Sequence, residues 1–245
     1  MNTYTVIRLK ETRSTNLYII ESLREQSLKE GTVVVAQSQT EGKGQRDASW
    51  ESAPGENLTF SFILRPAGLP ASCRTAISQL TALAVKELLE ACTDGVTIKW
   101  PNDVYWMDKK IAGILIENNI SGGILRSSIV GVGINLNQTT FPEHLSEAVS
   151  LAQITGDTYD LDEALSRFMR RMFEYYHLLL KGDERTISSA YKASLYRGTE
   201  DFHNYRDADG SFEARIYDVG RDGSLILERR DGEKRGYMFK EVSFI

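Results

Sequence analysis

Residues 96–117 read VTIKWPNDVYWMDKKIAGILIE and contain three apolar runs separated by two polar turns. The runs at 96–100, 104–107 and 111–117 are rich in β-branched and aromatic residues and have the length of strands. Pro-Asn-Asp and Asp-Lys-Lys between the runs are typical turn sequences. Such short connections join antiparallel neighbours, so the stretch predicts a three-strand meander at the centre of the fold.

Strands and helices are also indicated on both sides of this meander. Hydrophobic periodicity and turn residues predict strands at 3–10, 32–37, 57–64 and 124–137 and helices at 16–29, 74–92, 161–182 and 183–196. Strand 57–64 alternates two sets of side chains, which is typical of a half-buried strand. From Arg197 onward, short runs separated by Asp-Gly turns predict a small C-terminal β-barrel, which divides the chain into domains 1–196 and 197–245.

Composition limits the kinds of partner. The net charge of −5 argues against a general nucleic-acid binder, and the first ten residues leave no room for a helix-turn-helix module. Cys73 and Cys92 are too few for a disulfide framework and fit a reducing compartment. The sequence contains neither a secretory leader nor a bilayer-length apolar run, so we expect a cytoplasmic protein without a membrane partner.

The loop from Glu41 to Trp50, EGKGQRDASW, combines two glycines, two cations and an indole. Glycines allow backbone N–H groups to approach an anion, Lys43 and Arg46 add positive charge, and Trp50 offers a face for stacking on a base. This combination suits a nucleotide. A solvated surface loop is the alternative, and the loop by itself does not decide between them.

Two lysines in the meander are candidates for binding a phosphoryl group. Lys99 lies in an apolar strand and needs an anion nearby, either Asp103 or a bound phosphate. Lys110 precedes Gly113 by three positions; pointing inward, it would meet a carboxylate and neutralise charge on a phosphoryl oxygen during acyl-adenylate formation. A solvated turn is the other interpretation of Lys110.

Further polar and glycine positions suggest a small-molecule pocket. The segment 14–16, Ser-Thr-Asn, and Gln39 suit the polar end of a ligand, although helix capping and a strand-end amide explain them equally well. Gly131 and Gly133 interrupt a strand where something can approach its backbone, which suggests a ligand wall. Asp47 stands where a dinucleotide fingerprint needs its third glycine, and the three histidines lack metal-ligand spacing.

Taken together, the order and spacing of these motifs from residue 14 to 137 closely resemble those of biotin protein ligases. The resemblance covers nearly the whole chain, and the Lys-Trp-Pro-Asn-Asp block is its most specific part. The matching residues are Ser14, Thr15, Asn16, Gln39, Gly42, Lys43, Gly44, Gln45, Arg46, Trp50, Lys99, Trp100, Pro101, Asn102, Asp103, Lys110, Gly113, Gly131, Gly133 and Asn135.

The resemblance implies an α+β fold with a mixed or antiparallel sheet and packed helices, similar to class II synthetases, followed by an SH3-like barrel. It also implies an ATP-dependent, AMP-forming ligase in which biotin and Mg-ATP give biotinyl-5′-AMP, after which a lysine of a biotin carboxyl carrier protein or domain attacks the mixed anhydride. ATP, Mg²⁺ and the carrier are therefore expected, a homodimer is possible, and no DNA operator should be bound.

The resemblance assigns roles to individual residues. Lys110 and Arg46 would be catalytic. The biotin head group would contact Ser14, Thr15, Asn16 and Gln39, and Gly113 would line the biotin pocket. Lys110 would hold the carboxylate of biotin and the α-phosphate oxygens. The adenylate would contact Gly42, Lys43, Gly44, Gln45, Arg46, Trp50, Lys99, Asn102 and Asn135, with Asp103 linked to Mg²⁺.

The glycine loop departs from the fully basic pattern common in that family. Lys43 and Gln45 stand where arginines are usual, and Asp47 stands where a glycine is usual. Because neither lysine nor glutamine reproduces the arginine fork, we expect weaker retention of the adenylate. Two other functions stay open: a lipoate or octanoate ligase or transferase of the same fold, and a catalytically silent binding module.

Overall fold

The computed structural model describes residues 4–25, 28–45 and 48–245. Its first part is a mixed sheet with helices on both faces, and its second part is a smaller antiparallel sheet. The first part comprises β1 (Thr5–Thr12), α1 (Thr15–Glu25), β2 (Thr32–Gln39), β3 (Leu58–Leu64), α2 (Arg74–Glu90), β4 (Val96–Lys99), β5 (Asp103–Trp106), β6 (Lys109–Ser121), β7 (Ile124–Ile134), α3 (Leu151–Thr155), α4 (Leu161–Leu180) and α5 (Glu184–Ala193).

The seven-stranded sheet has the order β1-β2-β3-β7-β6-β5-β4. Strands β1 and β2 are parallel, since α1 carries the chain from one to the other, and all remaining pairs are antiparallel. The predicted meander is present as β4-β5-β6, and its first turn places Lys99 opposite Asp103. The α+β class with a mixed sheet is therefore confirmed.

Strand β3 is the centre of the core, and the prediction that it is half-buried was wrong. All seven of its residues are buried. Phe60 and Phe62 pack against Phe168 of α4, with ring centroids 5.1 and 5.9 Å apart. On the other face, Ile63 joins Ile19 of α1 in a second hydrophobic cluster. Because helices cover both faces, the small polar residues Thr59 and Ser61 are buried together with the apolar ones.

The predicted helices extend beyond their observed ends, most clearly in α1 and α5, and one short helix was not predicted. Helix α1 ends at Glu25, and residues 26–27 lie outside the described part. Helix α5 ends at Ala193 because the following residues pair with β4: Ile98 N–H donates to Ser194 O at 2.8 Å. The five-residue α3 was not predicted, since it is too short to develop a periodic pattern; Ser150 and Gln153 form a capping box at its start.

The second sheet comprises β8 (His203–Asp207), β9 (Gly210–Val219), β10 (Leu225–Arg229), β11 (Lys234–Tyr237) and β12 (Ser243–Phe244). It is antiparallel with the order β11-β10-β9-β8-β12, so β11 and β12 form its edges and the predicted closed barrel stays a prediction. Trp100 links it to the first part of the chain: Nε1 donates to Gly223 O at 2.9 Å, and the ring meets Phe239 edge-on at 6.2 Å. No helix in the described ranges is long and apolar enough to cross a membrane.

Candidate active site

A cavity of about 190 Å³, called the ligand cavity below, lies over the middle of β6 and β7. It is formed by the start of α1, the end of β2, the glycine loop, the turn after β4 and the turn after β11. The structure brings these predicted site residues together in its lining: Ser14, Thr15, Asn16, Gln39, Lys43, Gly44, Gln45, Trp50, Asn102, Asp103, Lys110 and Gly113.

Four predicted site residues are not placed in this lining. Gly42, Lys99 and Asn135 are absent from it. Arg46, the second predicted catalytic residue, lies outside the described residues together with Asp47.

One end of the ligand cavity is a buried hydrogen-bond network. Gln39 Oε1 accepts from the Thr15 backbone N–H at 2.7 Å and from its hydroxyl at 3.1 Å. The Ser61 hydroxyl donates to Asn16 Oδ1 at 2.6 Å and lies 2.6 Å from the Thr15 hydroxyl. Asn16 Nδ2 then donates to Glu117 Oε2 at 2.7 Å. These side chains bond across the sheet and do not cap α1, so the network holds its members in fixed orientations.

This end of the cavity also presents groups without a protein partner. The Ser14 side chain is only 3% exposed, and its hydroxyl has no hydrogen-bond partner in the described part of the chain. Gln39 uses its carbonyl oxygen for Thr15, which leaves Nε2 without an acceptor among the same residues. Ser14 is buried and Gln39 is half-buried, and polar groups in such positions normally have a partner, so these two groups are suited to a polar ligand.

Sequence reasoning missed Ser61 and Glu117 as members of this network. Ser61 is fully buried in β3, and Glu117 lies near the middle of β6. A serine within an otherwise apolar strand was a weak signal, and the carboxylate after the apolar 111–116 run was another. Neither indicated which distant residue it would contact.

The two glycines of β7 make room for side chains of the protein itself. A Cβ on Gly131 would lie 3.1 Å from Asn16 Cγ and nearer still to Oδ1. A Cβ on Gly133 would lie 2.7 Å from Trp50 Nε1 and nearer still to two indole carbons. The predicted ligand wall therefore includes Asn16 and Trp50 resting on the strand, with Gly113 of β6 in contact with the same indole.

The glycine loop folds back on itself as a narrow hairpin. Trp50 N–H donates to Gly42 O at 2.9 Å, and Gly44 N–H donates to Ala48 O at 2.7 Å. Lys43 pairs with Ser49 in an isolated bridge. The Gly44 amide is therefore used within the loop, whereas the exposed Lys43 side chain lines the cavity and forms no ion pair with any described residue.

The opposite end of the ligand cavity contains a lysine–carboxylate pair. Lys110 Nζ lies 2.8 Å from Asp103 Oδ1, so Lys110 points inward and meets a carboxylate, as the sequence suggested. Neighbouring Asn102 is 4% exposed, and its Nδ2 donates to Ile114 O. The backbone of Lys110 is held in place by a hydrogen bond: its N–H donates to the backbone carbonyl of Glu147 at 2.7 Å. An ammonium group has three donors, so two remain for a substrate.

Lys99 points away from the cavity into a group of aromatic rings. Its Nζ lies 4.5 Å from the centre of the Tyr105 ring and 5.5 Å from that of Phe244, and it contacts the Tyr105 hydroxyl at 3.3 Å. Burial lowers the pKa of the Lys99 ammonium, and Arg197 lowers it further, while Asp103 acts in the opposite direction. Of the two anions considered from sequence, Asp103 bonds Lys110 and only influences Lys99 electrostatically.

Asn135 lies behind the cavity wall. Its Nδ2 donates to Val149 O at 3.2 Å, and its Oδ1 is buried without a partner among the described residues. Phe239 and Lys240, which follow β11, do line the cavity, and the sequence contained no signal for this. Lys240 has φ of 74° at the third position of the Met238–Glu241 turn, a conformation that favours glycine.

Carboxylates and histidines in the described ranges do not form a metal centre. No group of three or more His, Cys, Asp or Glu residues there is placed to hold an ion. Asp103 is the one carboxylate in the cavity lining among these residues. One carboxylate together with phosphate oxygens is a common environment of Mg²⁺, so the residues fit Mg²⁺ bound with a nucleotide and do not form an all-protein site.

Comparison with known families gives a match over residues 8–135 to the model of the biotin/lipoate A/B protein ligase family. The bifunctional ligase/repressor BirA of Bacillus spizizenii is 33% identical over 213 residues, covering 85% of this chain and 65% of the relative. The same-named protein of Escherichia coli is 36% identical over 239 residues, covering 94% of this chain and 71% of the relative. The chain thus spans about two thirds of these longer proteins.

Solved structures match over almost the entire chain. The biotin protein ligase from Aquifex aeolicus, in complex with biotin and ATP, has a TM-score of 0.80 at 28% identity and covers 98% of both chains. The family model ends at residue 135, whereas this structural match covers 98% of the chain and therefore includes the second sheet as well as the ligand cavity.

Proposed function

The chain belongs to the biotin/lipoate A/B protein ligase family, and from this premise we propose that it is a biotin protein ligase. It activates biotin with ATP to biotinyl-5′-AMP and transfers the biotinyl group to a lysine of a biotin carboxyl carrier protein or domain. The observation that carries the proposal is the two-ended ligand cavity, with a buried polar network at one end and the Lys110–Asp103 pair, 2.8 Å apart, at the other.

The polar end receives the head group of biotin. The ureido ring of biotin has one carbonyl acceptor and two N–H donors. The Ser14 hydroxyl is unpartnered among the described residues, and Thr15 and Asn16 are already held by Gln39 and Glu117. Because these groups are oriented before the ligand arrives, little ordering is required on binding.

The Lys110 end receives the carboxylate and the α-phosphate of ATP. A carboxylate oxygen of biotin attacks the α-phosphorus, the bond from that phosphorus to the oxygen bridging to the β-phosphate breaks, and diphosphate leaves with the bonding electrons. Negative charge on the phosphoryl oxygens is offset by Lys110, which keeps Asp103 as its partner and uses its remaining donors. The exposed Lys43 adds a second positive charge from the glycine loop.

The second step transfers the acyl group. A neutral lysine amine of the carrier attacks the carbonyl carbon of the mixed anhydride, the bond to the AMP oxygen breaks, and the amine loses a proton. Trp50 packs on the adenine and limits the access of water to the anhydride, a role supported by its indole lying against Gly113 and Gly133. Asp103 would hold the Mg²⁺ that accompanies ATP, and the ion would neutralise charge on the phosphates.

We also propose the finer organisation that the resemblance implies. Residues 1–196 form the ligase domain and residues 197–245 an SH3-like barrel domain, supported by the separate antiparallel sheet that begins at His203. A homodimer stays a prediction; β1 forms one edge of the larger sheet.

Biotin-dependent exchange of labelled diphosphate into ATP tests the proposal. We expect exchange by the wild type, its loss in Lys110→Met, and its retention in Lys109→Met, since Lys109 is exposed and outside the cavity. Exchange with lipoate or octanoate in place of biotin would instead indicate the related ligase. Absence of exchange with all three acids would favour a silent binding module.

A further inference from the structure

A second cavity lies on the other side of the glycine loop from the ligand cavity. It also has a volume of about 190 Å³ and is enclosed by the start of α2, the turn after β4 and the Gly223 turn of the second sheet. Gln45 and Asn102 line both cavities, so the two cavities adjoin at these side chains. A group released at the Lys110 end is therefore close to the second cavity.

The charge of the second cavity favours an anion. Among the described residues that line it, Arg74 is the one charged side chain, and none is a carboxylate. Thr75 and Ser78, on the first turns of α2, add two hydroxyl groups. Asp222 is the acidic residue near Arg74; its pKa is lowered first by the Ser224 hydroxyl and least by Arg74, and it does not line the cavity.

Gln79 is the observation that points to a ligand. Its side chain is 6% exposed and lines the second cavity, yet its amide forms no hydrogen bond with any described residue. Two other polar groups there already have partners: Trp100 Nε1 donates to Gly223 O at 2.9 Å, and the Tyr191 hydroxyl donates to Pro101 O at 2.8 Å. Gln45 Oε1, which also lines the cavity, is buried without a partner among the described residues. The Gln79 amide therefore faces the cavity, where a polar ligand can bond to it.

We propose that the second cavity binds diphosphate, the leaving group of adenylation, through the Arg74 guanidinium, the Thr75 and Ser78 hydroxyls and the Gln79 amide. The assignment rests on the proposed function, because it names the anion by the reaction in the neighbouring cavity. A phosphate-type anion matches the site chemically: it accepts hydrogen bonds on every oxygen, and a guanidinium donates in pairs. Diphosphate that leaves the ligand cavity after adenylation, or enters it during exchange, therefore passes through this site.

Direct binding of diphosphate to the full chain, without biotin or ATP, tests the site. Calorimetric titration is expected to detect binding that weakens about 10-fold to 100-fold in Arg74→Met and in Gln79→Leu, since each removes a hydrogen bond to a charged ligand. Arg126→Met is the matched control, because Arg126 is an exposed arginine that lines neither of the two cavities. Arg74 is on the surface, so its variant remains informative even when Gln79→Leu does not fold. A parallel titration with orthophosphate determines whether the site requires two phosphates.

Exchange kinetics link the site to the reaction. Arg74→Met should raise the KM for diphosphate in the exchange assay and leave the KM for biotin unchanged. Diphosphate binding that depends on Lys43 and Lys110 but is unaffected by Arg74→Met and Gln79→Leu would place the anion in the ligand cavity and overturn the inference. Binding that depends on Arg74 in a protein without exchange activity would support the anion site and refute the ligase.

Discussion

The Trp50 indole occupies the space that Gly133 leaves above strand β7. A Cβ on Gly133 would lie 2.7 Å from Trp50 Nε1, closer than real Cβ contacts. The glycine of one strand and the indole of a loop about eighty residues earlier therefore fit together as one wall of the ligand cavity.

Replacing this glycine should disturb both stability and nucleotide binding. We expect Gly133→Ala to destabilise the protein by about 1–3 kcal/mol, the usual range for overpacking, and to raise the KM for ATP. Denaturant unfolding and exchange kinetics measure the two effects. When Gly133→Ala is made in a Trp50→Ala variant, it should leave the free energy of unfolding nearly unchanged, because the indole that the new Cβ would meet is absent. Equal destabilisation in both backgrounds would contradict this contact.

The Lys110–Asp103 pair should matter for activity far more than for stability. Both side chains are about one third exposed, at 35% and 31%, and partly exposed ion pairs contribute about 0.2–1 kcal/mol. Asp103→Asn should therefore change the free energy of unfolding by less than about 1 kcal/mol. Lys110→Met should lower the adenylation rate about 10²–10³-fold, as removal of a charge-stabilising donor does elsewhere. Denaturant unfolding measures the effect on stability, and rapid-quench measurement of adenylate formation measures the effect on activity. A normal adenylation rate in Lys110→Met would refute the proposed role of Lys110.

Trp100 should contribute to the attachment of the second sheet through its indole N–H. Trp100→Phe keeps the aromatic contact with Phe239 but removes the hydrogen bond to Gly223 O, so we expect a loss of about 0.5–1.5 kcal/mol in unfolding free energy. Trp106→Phe is the matched control, because its N–H donates to Asp94 O at 3.1 Å in an exposed position. A larger loss in the control would argue against this attachment.

Lys99 should titrate below the ordinary lysine value of 10.5. Burial disfavours the ammonium form, and the Arg197 charge disfavours it further, so the neutral amine should be present at a lower pH than usual. Competitive amine labelling with mass spectrometry across pH 7–11 measures the apparent pKa. Arg197→Gln should raise that pKa, since it removes a like charge; a decrease would contradict the assigned cause.

Gln45 should limit the retention of the adenylate. Its Oε1 is buried without a partner among the described residues, and it lines the ligand cavity. An arginine at this position would add a guanidinium donor, so Gln45→Arg should slow dissociation of biotinyl-5′-AMP. Gln37→Arg, at an exposed site outside the cavity, serves as control. An unchanged dissociation rate in Gln45→Arg would count against the idea.

The local sequence pattern was sufficient to predict most of the helices and strands. The 3.6-residue period over 161–182 and the short turns of 96–117 predicted α4 and the meander, because each depends on neighbours along the chain. For Lys110 the sequence allowed two interpretations, an inward orientation and a solvated turn, and only the structure decided between them. The exposure of β3 was misjudged, since the second face is covered by α1, whose packing position is not encoded in the strand itself.

The sequence by itself determined the α+β class, the main elements and the resemblance through which the site residues were named. Only the tertiary structure decided which of them meet: Asn16 reaches Glu117 across 101 positions, Ser61 joins both ends of the network, and Lys240 enters from the far end of the chain. The physical reason is strand register and sheet order, which arise from packing of the whole core and determine where each side chain points.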